Sequence, residues 1–176
     1  MRITLLSIHF SRLNDGRNTR VIVRIIPRNC VSLHHEGKER RIYNGIERPS
    51  HTPDMIAVLR PDEVFVFGSN LAGMHGGGAA RFAFLHFGAV MGCGVGLRGQ
   101  SYAIPTMQGG IETIAPYVDG FISFAREHPE LFFYVTRIGC GIAGFRDRDI
   151  APLFREAAGL ENIALPESFA RLLTKD

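Results

Sequence analysis

The length and composition of the chain fit a single packed domain. Its 176 residues are 45% hydrophobic, which is enough to bury a sizeable core without disulfides or metal ions. The three cysteines, Cys30, Cys93 and Cys140, are far apart and odd in number, which argues against a disulfide framework and for a reduced, cytoplasmic protein. No run approaches the ~20 apolar residues that span a bilayer, and the first 17 residues lack an apolar h-region and a cleavage site, so neither secretion nor a membrane partner is expected.

Positive charge is concentrated at the N-terminus. Residues 1–50 carry 10 Arg and Lys against 4 Asp and Glu, a net charge of +6, whereas the whole chain carries +3. The apolar pattern that is typical of a folded domain begins after Met55. We therefore interpret residues 1–54 as a basic extension, either disordered or upstream of a natural start at Met55, and residues 55–176 as the folded domain. Cys30, His34 and His35 match no zinc-site spacing, so no metal site is predicted.

Strands and helices alternate along the chain, apart from a polar stretch over residues 34–52 that shows no clear period. We predict strands at residues 20–26, 63–67, 101–104, 131–138 and 162–165, and helices at residues 77–87, 113–127, 150–158 and 167–173. One face of the helix at 113–127 carries Ile114, Tyr117, Val118, Phe121, Ile122 and Ala125. Asp147 or Asp149 is the expected N-cap of the next helix. This alternation predicts an α/β sandwich whose loops gather at the carboxyl ends of the strands, where ligands bind.

Two glycine-rich loops follow the two most apolar predicted strands. Glycine lets backbone N–H groups approach a ligand closely, and the first loop leads into a helix whose positive dipole end faces the same place, so phosphate is the favoured ligand. A single such loop is more often just a turn, but two loops at equivalent strand ends favour a binding site. The candidate ligand-binding residues are Ser69, Asn70, Gly76, Gly77, Gly78, Gly139, Cys140, Gly141, Ile142, Ala143, Gly144 and Phe145.

Two other nucleotide-binding signatures fail. Residues 94–99 satisfy G-x-G-x-x-G but lead into a strand rather than a helix, so the dinucleotide-binding context is missing. We interpret the glycine cluster at residues 92–99 either as a flexible flap over the pocket or as a long connection. The sequence G-x-x-x-x-G-K-[ST] does not occur, which argues against a P-loop nucleotidase.

The segments VFGSN and GGGAARFA, followed by TRIGCGIAGF, resemble the two ligand-binding loops of macrodomains, the ADP-ribose-binding family. The likeness covers about residues 62–166, with the segments in the right order. Joined with QSYAIPT, the pattern is similar to short, uncharacterised macrodomain-like proteins of bacteria and their phages. The resemblance implies a three-layer α/β/α sandwich with a mixed central sheet, and binding of ADP-ribose or a related NAD-derived nucleotide, without a separate cofactor.

The resemblance also implies roles for individual residues. Asn70 would contact the distal ribose, unless its side chain only stabilises the turn, and the triple glycine would pack against ribose and phosphate. The segment from Gly141 to Phe145 would wrap the pyrophosphate, with Phe145 either covering the sugar or packing in the core. The adenine amino group would be accepted by Asp54 or Asp62, and the sequence does not choose between these two.

Catalysis is less well supported than binding. Related hydrolases use a Lys at a strand end and an Asp after the GCG motif, and the corresponding residues here are Met107 and Ala143, which carry no exchangeable proton. His75 as a base and Cys140 as a thiol nucleophile are the remaining candidates, against interpretations as a loop residue and a buried filler. The basic side chains near the loops supply positive field or pair with Asp147 or Asp149; they are Arg81, Arg137 and Arg146.

Three functional hypotheses follow. The first is binding of ADP-ribose or a related nucleotide, free or attached to a macromolecule. The second is an enzyme of the same fold that hydrolyses ADP-ribosyl or acyl-ADP-ribose bonds without the usual Lys and Asp. The third is a phage or host accessory protein with a vestigial pocket, whose basic leader at residues 1–54 engages nucleic acid or protein.

Overall fold

The computed structural model describes residues 8–14, 19–25 and 39–174. The chain divides into two compact units, Met1–Gly37 and Lys38–Asp176. Within the described residues, none of the helices combines the length and apolar character needed to cross a membrane.

The smaller unit contains an antiparallel pair of strands. β1 (Ile8–Asn14) pairs with β2 (Thr19–Ile25) along their whole length. β2 confirms the strand predicted at residues 20–26, although Ile26 itself lies outside the described residues. Cys30, His34 and His35 also lie outside them. β1 was not predicted.

The larger unit is built on a mixed sheet. In chain order its elements are β3 (Arg40–Tyr43), β4 (Ile46–Pro49), β5 (His51–Thr52), β6 (Glu63–Ser69), α1 (Gly78–His86), β7 (Gly96–Arg98), β8 (Ser101–Pro105), α2 (Ile111–Glu127), β9 (Phe132–Val135), α3 (Asp147–Ile150), two 3-10 helices (Ala151–Phe154 and Glu156–Gly159), β10 (Ile163–Pro166) and α4 (Glu167–Leu173). β3 and β4 form a separate hairpin. The six-stranded sheet has the order β5-β10-β9-β6-β8-β7, with β7 antiparallel to β8 and the other neighbours parallel.

Strand β6 is buried on both faces and separates two cores. Val64 and Val66 belong to a cluster that includes the inner face of α2, whereas Phe65 and Phe67 belong to a second cluster with α1. Successive strand side chains point to opposite faces, so the continuous apolar run VFVF fills both layers. Helices therefore cover both faces of the sheet. This confirms the α/β class with a mixed central sheet and is compatible with three layers.

Most predicted elements are present, with ends shifted by at most two residues; these are the strands at 63–67, 101–104 and 162–165 and the helices at 77–87, 113–127 and 167–173. The predicted inner face of α2 is confirmed, because Ile114, Val118, Phe121, Ile122 and Ala125 are all buried and Tyr117 is partly buried against them. The strand predicted at 131–138 ends earlier, at Val135. Beyond it the Thr136 N–H and Oγ1 both donate to the carbonyl of Val66, and the chain then turns out of the sheet.

The prediction of one α-helix at residues 150–158 is wrong. The chain makes only the short α3 and then two 3-10 helices, since Pro152 has no N–H to continue an α-helical ladder. The N-cap is Arg146 rather than Asp147 or Asp149. Asp149 contributes instead from inside the helix, where its carboxylate accepts the Arg146 backbone N–H at 3.1 Å.

The polar stretch over residues 34–52 contains the hairpin and strand β5, neither of which was predicted. Thr52 Oγ1 donates to the Ala164 carbonyl at 2.7 Å where β5 pairs with β10. The two units divide at Gly37, which places residues 38–54 in the larger unit. The natural start at Met55 stays a hypothesis, but a product that begins there would lack the hairpin and an edge strand of the sheet.

The hairpin is joined to the sheet by a buried ion pair. The Arg48 side chain is 1% exposed; its Nη1 donates to Glu63 Oε1 at 2.6 Å and its Nη2 bonds Asp62. The guanidinium also lies 4.7 Å from the centre of the Phe132 ring. Tyr134 donates to the same Glu63 oxygen at 3.0 Å. Arg48 thus neutralises a carboxylate that the fold has removed from water.

Replacing Arg48 with Ala is expected to lower the free energy of unfolding by about 3–5 kcal/mol, because it leaves Glu63 buried without its cation. Chemical denaturation followed by circular dichroism measures the change. Arg40→Ala is the matched control, because Arg40 forms an exposed pair with Glu47 in the same hairpin, and its loss should cost less than about 1 kcal/mol. Equal losses in the two variants would show that the buried pair does not anchor the hairpin.

The loop after β6 packs backbone to backbone on the connection after α1. A Cβ on Gly94 would lie 2.0 Å from the Asn70 carbonyl oxygen, and one on Gly73, whose φ is +63°, would lie 2.3 Å from the Cys93 nitrogen. Residues 92–99 therefore form a connection, which includes the edge strand β7, rather than a flexible flap. The G-x-G-x-x-G match has no phosphate-binding context.

Gly94→Ala is expected to destabilise the protein by about 1–3 kcal/mol, because its methyl group has no space beside Asn70. Gly120→Ala is the opposite case: Gly120 is exposed within α2 with no atom near its Cβ position, so alanine should stabilise the helix by about 0.5–1 kcal/mol. Thermal unfolding of both variants compares them. A neutral Gly94→Ala would mean that this contact is not tightly packed.

Candidate functional site

Two adjacent cavities open at the carboxyl ends of the parallel strands. The larger has a volume of about 690 Å³ and the narrower about 170 Å³. They share Gly78, Ala79, Thr136 and Arg137 in their linings, so they adjoin there; we call these four residues the junction and the two cavities together the cleft. The two predicted glycine loops meet here: a Cβ on Gly68 would lie 3.3 Å from the Gly139 nitrogen.

The first loop brings the N-terminus of α1 to the narrow cavity. The first-turn N–H groups of a helix have no partners within the helix, and the N-cap Gly77 offers no side chain to bind them. The first turn contains no acidic residue. The start of this helix therefore presents uncompensated donors and a positive dipole end, which favours an anion.

The second loop adds a further set of donors. Its internal hydrogen bonds use the N–H groups of Cys140, Gly144 and Phe145. Among the described residues, no hydrogen bond uses the N–H groups of residues 141–143, which line the narrow cavity. Gly139 adopts a φ of +72°, which turns the chain after Ile138 and directs this segment across the cleft from α1.

The structure brings together most, but not all, of the predicted ligand-binding residues. Those that line the narrow cavity are Ser69, Asn70, Gly77, Gly78, Gly139, Gly141, Ile142 and Ala143. Those that line neither cavity are Gly76, Cys140, Gly144 and Phe145. Phe145 packs against the hydrophobic core, which favours its core interpretation over a cover for the sugar.

Asn70 stabilises its own loop. Its Nδ2 donates to the Met74 carbonyl and its Oδ1 accepts the Met74 N–H, both at 3.0 Å. The side chain is therefore a turn former. Because a side-chain amide has two donors and an acceptor with two lone pairs, Asn70 also keeps hydrogen-bonding capacity toward the cavity that it lines.

The two candidate adenine partners differ in their position relative to the larger cavity. Asp54 lines it, whereas Asp62 bonds Arg48 and lies outside it. Its walls are mainly apolar and aromatic; they include Met55, Ile56, Phe65, Phe82 and Pro166. Sequence reasoning missed the aromatic residues and the β10–α4 corner, because these segments are far apart in the chain and share no local motif.

An ion pair stands at the junction of the cavities. Arg137 Nε and Nη2 donate to Asp147 Oδ1 at 3.1 and 2.7 Å. Burial alone would raise the pKa of Asp147, but the hydrogen bonds from Arg137, together with the nearby Ser168 hydroxyl and Cys140 thiol, outweigh it, so this pKa is lowered. Ser168 Oγ is also close to this carboxylate, and it is buried without hydrogen-bond geometry to any described residue.

The two candidate catalytic residues are poorly placed for catalysis. His75 is 2% exposed, lies outside both cavities, and its Nε2 is 3.0 Å from the Val90 carbonyl. Burial and the neighbouring Asp147 carboxylate raise the pKa of Cys140 to about 12, so at neutral pH it is a thiol rather than a thiolate nucleophile.

The narrow cavity carries little proton-transfer chemistry. Met107 and Ala143, the residues that correspond to the hydrolase Lys and Asp, do line it. Arg137 is the one charged side chain in the lining of this cavity among the described residues. In the same part of the chain no cluster of His, Cys, Asp and Glu has the geometry to hold a metal ion. The site is built from donors and apolar surface.

Alkylation of Cys140 by iodoacetamide at pH 8 is expected to be at least about 100-fold slower in the folded protein than in guanidinium at the same pH, because the reactive thiolate is scarce when the pKa is raised. Peptide mass spectrometry after timed labelling gives both rates. Folded and unfolded rates within tenfold of each other would instead identify Cys140 as a reactive thiol.

The chain was also compared with known proteins. No protein-family model, curated protein or solved structure matched it. The macrodomain resemblance therefore stays a prediction from the motifs, and function is argued from the geometry of the cleft.

Proposed function

We propose that this cleft binds ADP-ribose or a closely related NAD-derived nucleotide. The observation that supports this most is the junction, where donors from two glycine loops and a guanidinium surround a narrow cavity that continues into a larger apolar one. The order of base, diphosphate and second ribose in such a nucleotide matches the order of larger cavity, junction and narrow cavity. The larger cavity is also within the usual size range of ligand pockets.

The adenosine half is assigned to the larger cavity. Phe65 and Phe82 supply aromatic surface there, and Asp54 supplies an acceptor for the adenine amino group. This choice of Asp54 over Asp62 rests on position alone, because Asp62 bonds Arg48 away from the cleft. The sugar and base would thus meet apolar walls, with few polar groups to fix their orientation.

The diphosphate and second ribose are assigned to the junction and the narrow cavity. Residues 141–143 and the first turn of α1 both line that cavity, and their N–H groups would bind the phosphate oxygens. Asn70, with the capacity that its turn leaves unused, would contact the ribose. Backbone donors and the Arg137 guanidinium would together meet the charge of the diphosphate.

Binding is better supported than hydrolysis. The narrow cavity, where the distal ribose would lie, has no carboxylate, histidine or lysine in its lining among the described residues. Hydrolysis in such a site would depend on water activated by the substrate phosphate or by the backbone. We therefore propose a nucleotide-binding protein rather than an efficient hydrolase.

Calorimetric titration of the full chain with ADP-ribose, NAD, AMP and cyclic ADP-ribose tests the proposal. ADP-ribose is expected to bind tightest, and AMP at least about tenfold more weakly, because AMP lacks the second phosphate and ribose that the narrow cavity would hold. If the folded protein binds none of the four nucleotides, the proposed function is wrong.

Gly141→Leu is the matched variant for the same titration. Gly141 has no atom near its Cβ position and no positive φ, so leucine should leave stability unchanged, yet it lines the narrow cavity and should weaken ADP-ribose binding more than about tenfold. Gly76→Leu is the control: Gly76 is equally open but lies outside both cavities. Equal affinities of the two variants would mean that the second loop is misassigned.

A further inference from the structure

Arg137 occupies a position in the cleft that the resemblance does not explain. It is the second residue after β9, and the residue between them, Thr136, is held by two hydrogen bonds to the Val66 carbonyl. The Arg137 side chain is 61% exposed and lines both cavities. A well-anchored backbone therefore carries a solvent-accessible cation to the point where the two cavities join.

The guanidinium has unused donors. Of the five N–H groups of an arginine, those on Nε and Nη2 that face Asp147 are used, and the remaining three make no hydrogen bond to any described residue. A planar guanidinium matches the oxygens of a phosphate group in a two-point contact. Arg137 can thus bind an anion at the junction either beside Asp147 or in exchange for it.

Asp147 has two further polar neighbours that would remain if Arg137 moved. The Ser168 hydroxyl and the Cys140 thiol both help to lower the pKa of this carboxylate, and Ser168 Oγ, which lines the same cavity, is buried with no hydrogen bond to any described residue. Both groups carry a proton that can be donated to Asp147 when the guanidinium leaves. That lowers the cost of transferring Arg137 from its internal partner to a ligand.

The rest of the cleft directs an anion to this point. The other arginine of the larger cavity, Arg171, is paired with Glu167 on the preceding turn of α4, and Asp54 adds a further carboxylate to the same lining. A phosphate deep in the larger cavity would meet these carboxylates. At the junction it would meet Arg137 together with the α1 donors.

We propose that Arg137 is the side chain that recognises the diphosphate of the bound nucleotide, and that Asp147 is the internal counter-ion that holds Arg137 at the junction and competes with the ligand for it. This inference rests on the proposed function and deepens it. In this proposal the Arg137–Asp147 pair is what lets the protein distinguish a nucleotide with a central diphosphate from an uncharged nucleoside. Arg137 and Asp147 act here in binding and not in a chemical step.

The test is calorimetry of the full chain with ADP-ribose and with adenosine. Arg137→Gln is expected to weaken ADP-ribose binding by about 10- to 100-fold, the range for losing a hydrogen bond to a charged group, and to change adenosine binding less than about twofold. Arg137→Lys should restore part of the affinity, because it keeps the charge but not the planar fork. Arg148→Gln is the control, since Arg148 is similarly exposed and lines neither cavity.

Asp147→Asn tests the counter-ion role. It is expected to strengthen ADP-ribose binding by about two- to tenfold, because the ligand no longer competes with a carboxylate, and this gain should vanish in the Arg137→Gln background. Weaker binding by Asp147→Asn, or a gain that persists without Arg137, would overturn this role. Thermal unfolding is the control that each variant is folded.

The outcomes separate this inference from the proposed function. If wild-type protein fails to bind ADP-ribose, the proposed function itself fails. If wild-type protein binds but Arg137→Gln binds as well as Arg148→Gln, recognition by Arg137 is wrong and the backbone donors suffice. Equal weakening toward ADP-ribose and adenosine would also overturn it, because that pattern indicates general damage to the cleft.

Discussion

Parallel pairing of β6 with β9 is the constraint on which the cleft depends. It places the carboxyl ends of the two strands side by side, so that two loops far apart in the chain begin almost in contact at Gly68 and Gly139. A slip of one residue in β6 would exchange Val64 and Phe65 between the two cores. Such a slip would cost much packing free energy, so the register of β6 is strongly determined. The position of the donors is thus determined by core packing, not by the loops themselves.

Sequence reasoning succeeded where burial follows a simple period and failed where it does not. The continuous apolar run of β6 and the single apolar face of α2 have one structural solution each. The β3–β4 hairpin escaped prediction because its most buried residue is Arg48, whose burial depends on Glu63 in another element. The apolar pattern around Pro152 fits a helix, but the proline breaks the hydrogen-bond ladder and 3-10 turns form in its place.

The two parts of the site differ in the same way, because the narrow cavity follows local sequence patterns and the larger cavity does not. The narrow cavity comes from two local motifs, and residues such as Gly77 and Gly141 could be identified because each motif is a glycine-rich loop directly after an apolar strand. Within those motifs the sequence does not show which residues turn inward, so it leaves both a ligand contact and a core position open for Phe145, which packs on the core. The larger cavity joins Asp54, Phe65, Phe82 and the start of α4, and no local spacing connects them.

The backbone contact between Gly73 and the segment at Cys93 has a consequence for how a ligand enters. One wall of the narrow cavity is already held in place by neighbouring backbone, so the entropy lost on ordering that wall is lost during folding and not during binding. The opposite wall carries Ile142, whose side chain is 74% exposed. Adaptation to ligands that differ at their distal end would therefore fall to the second loop.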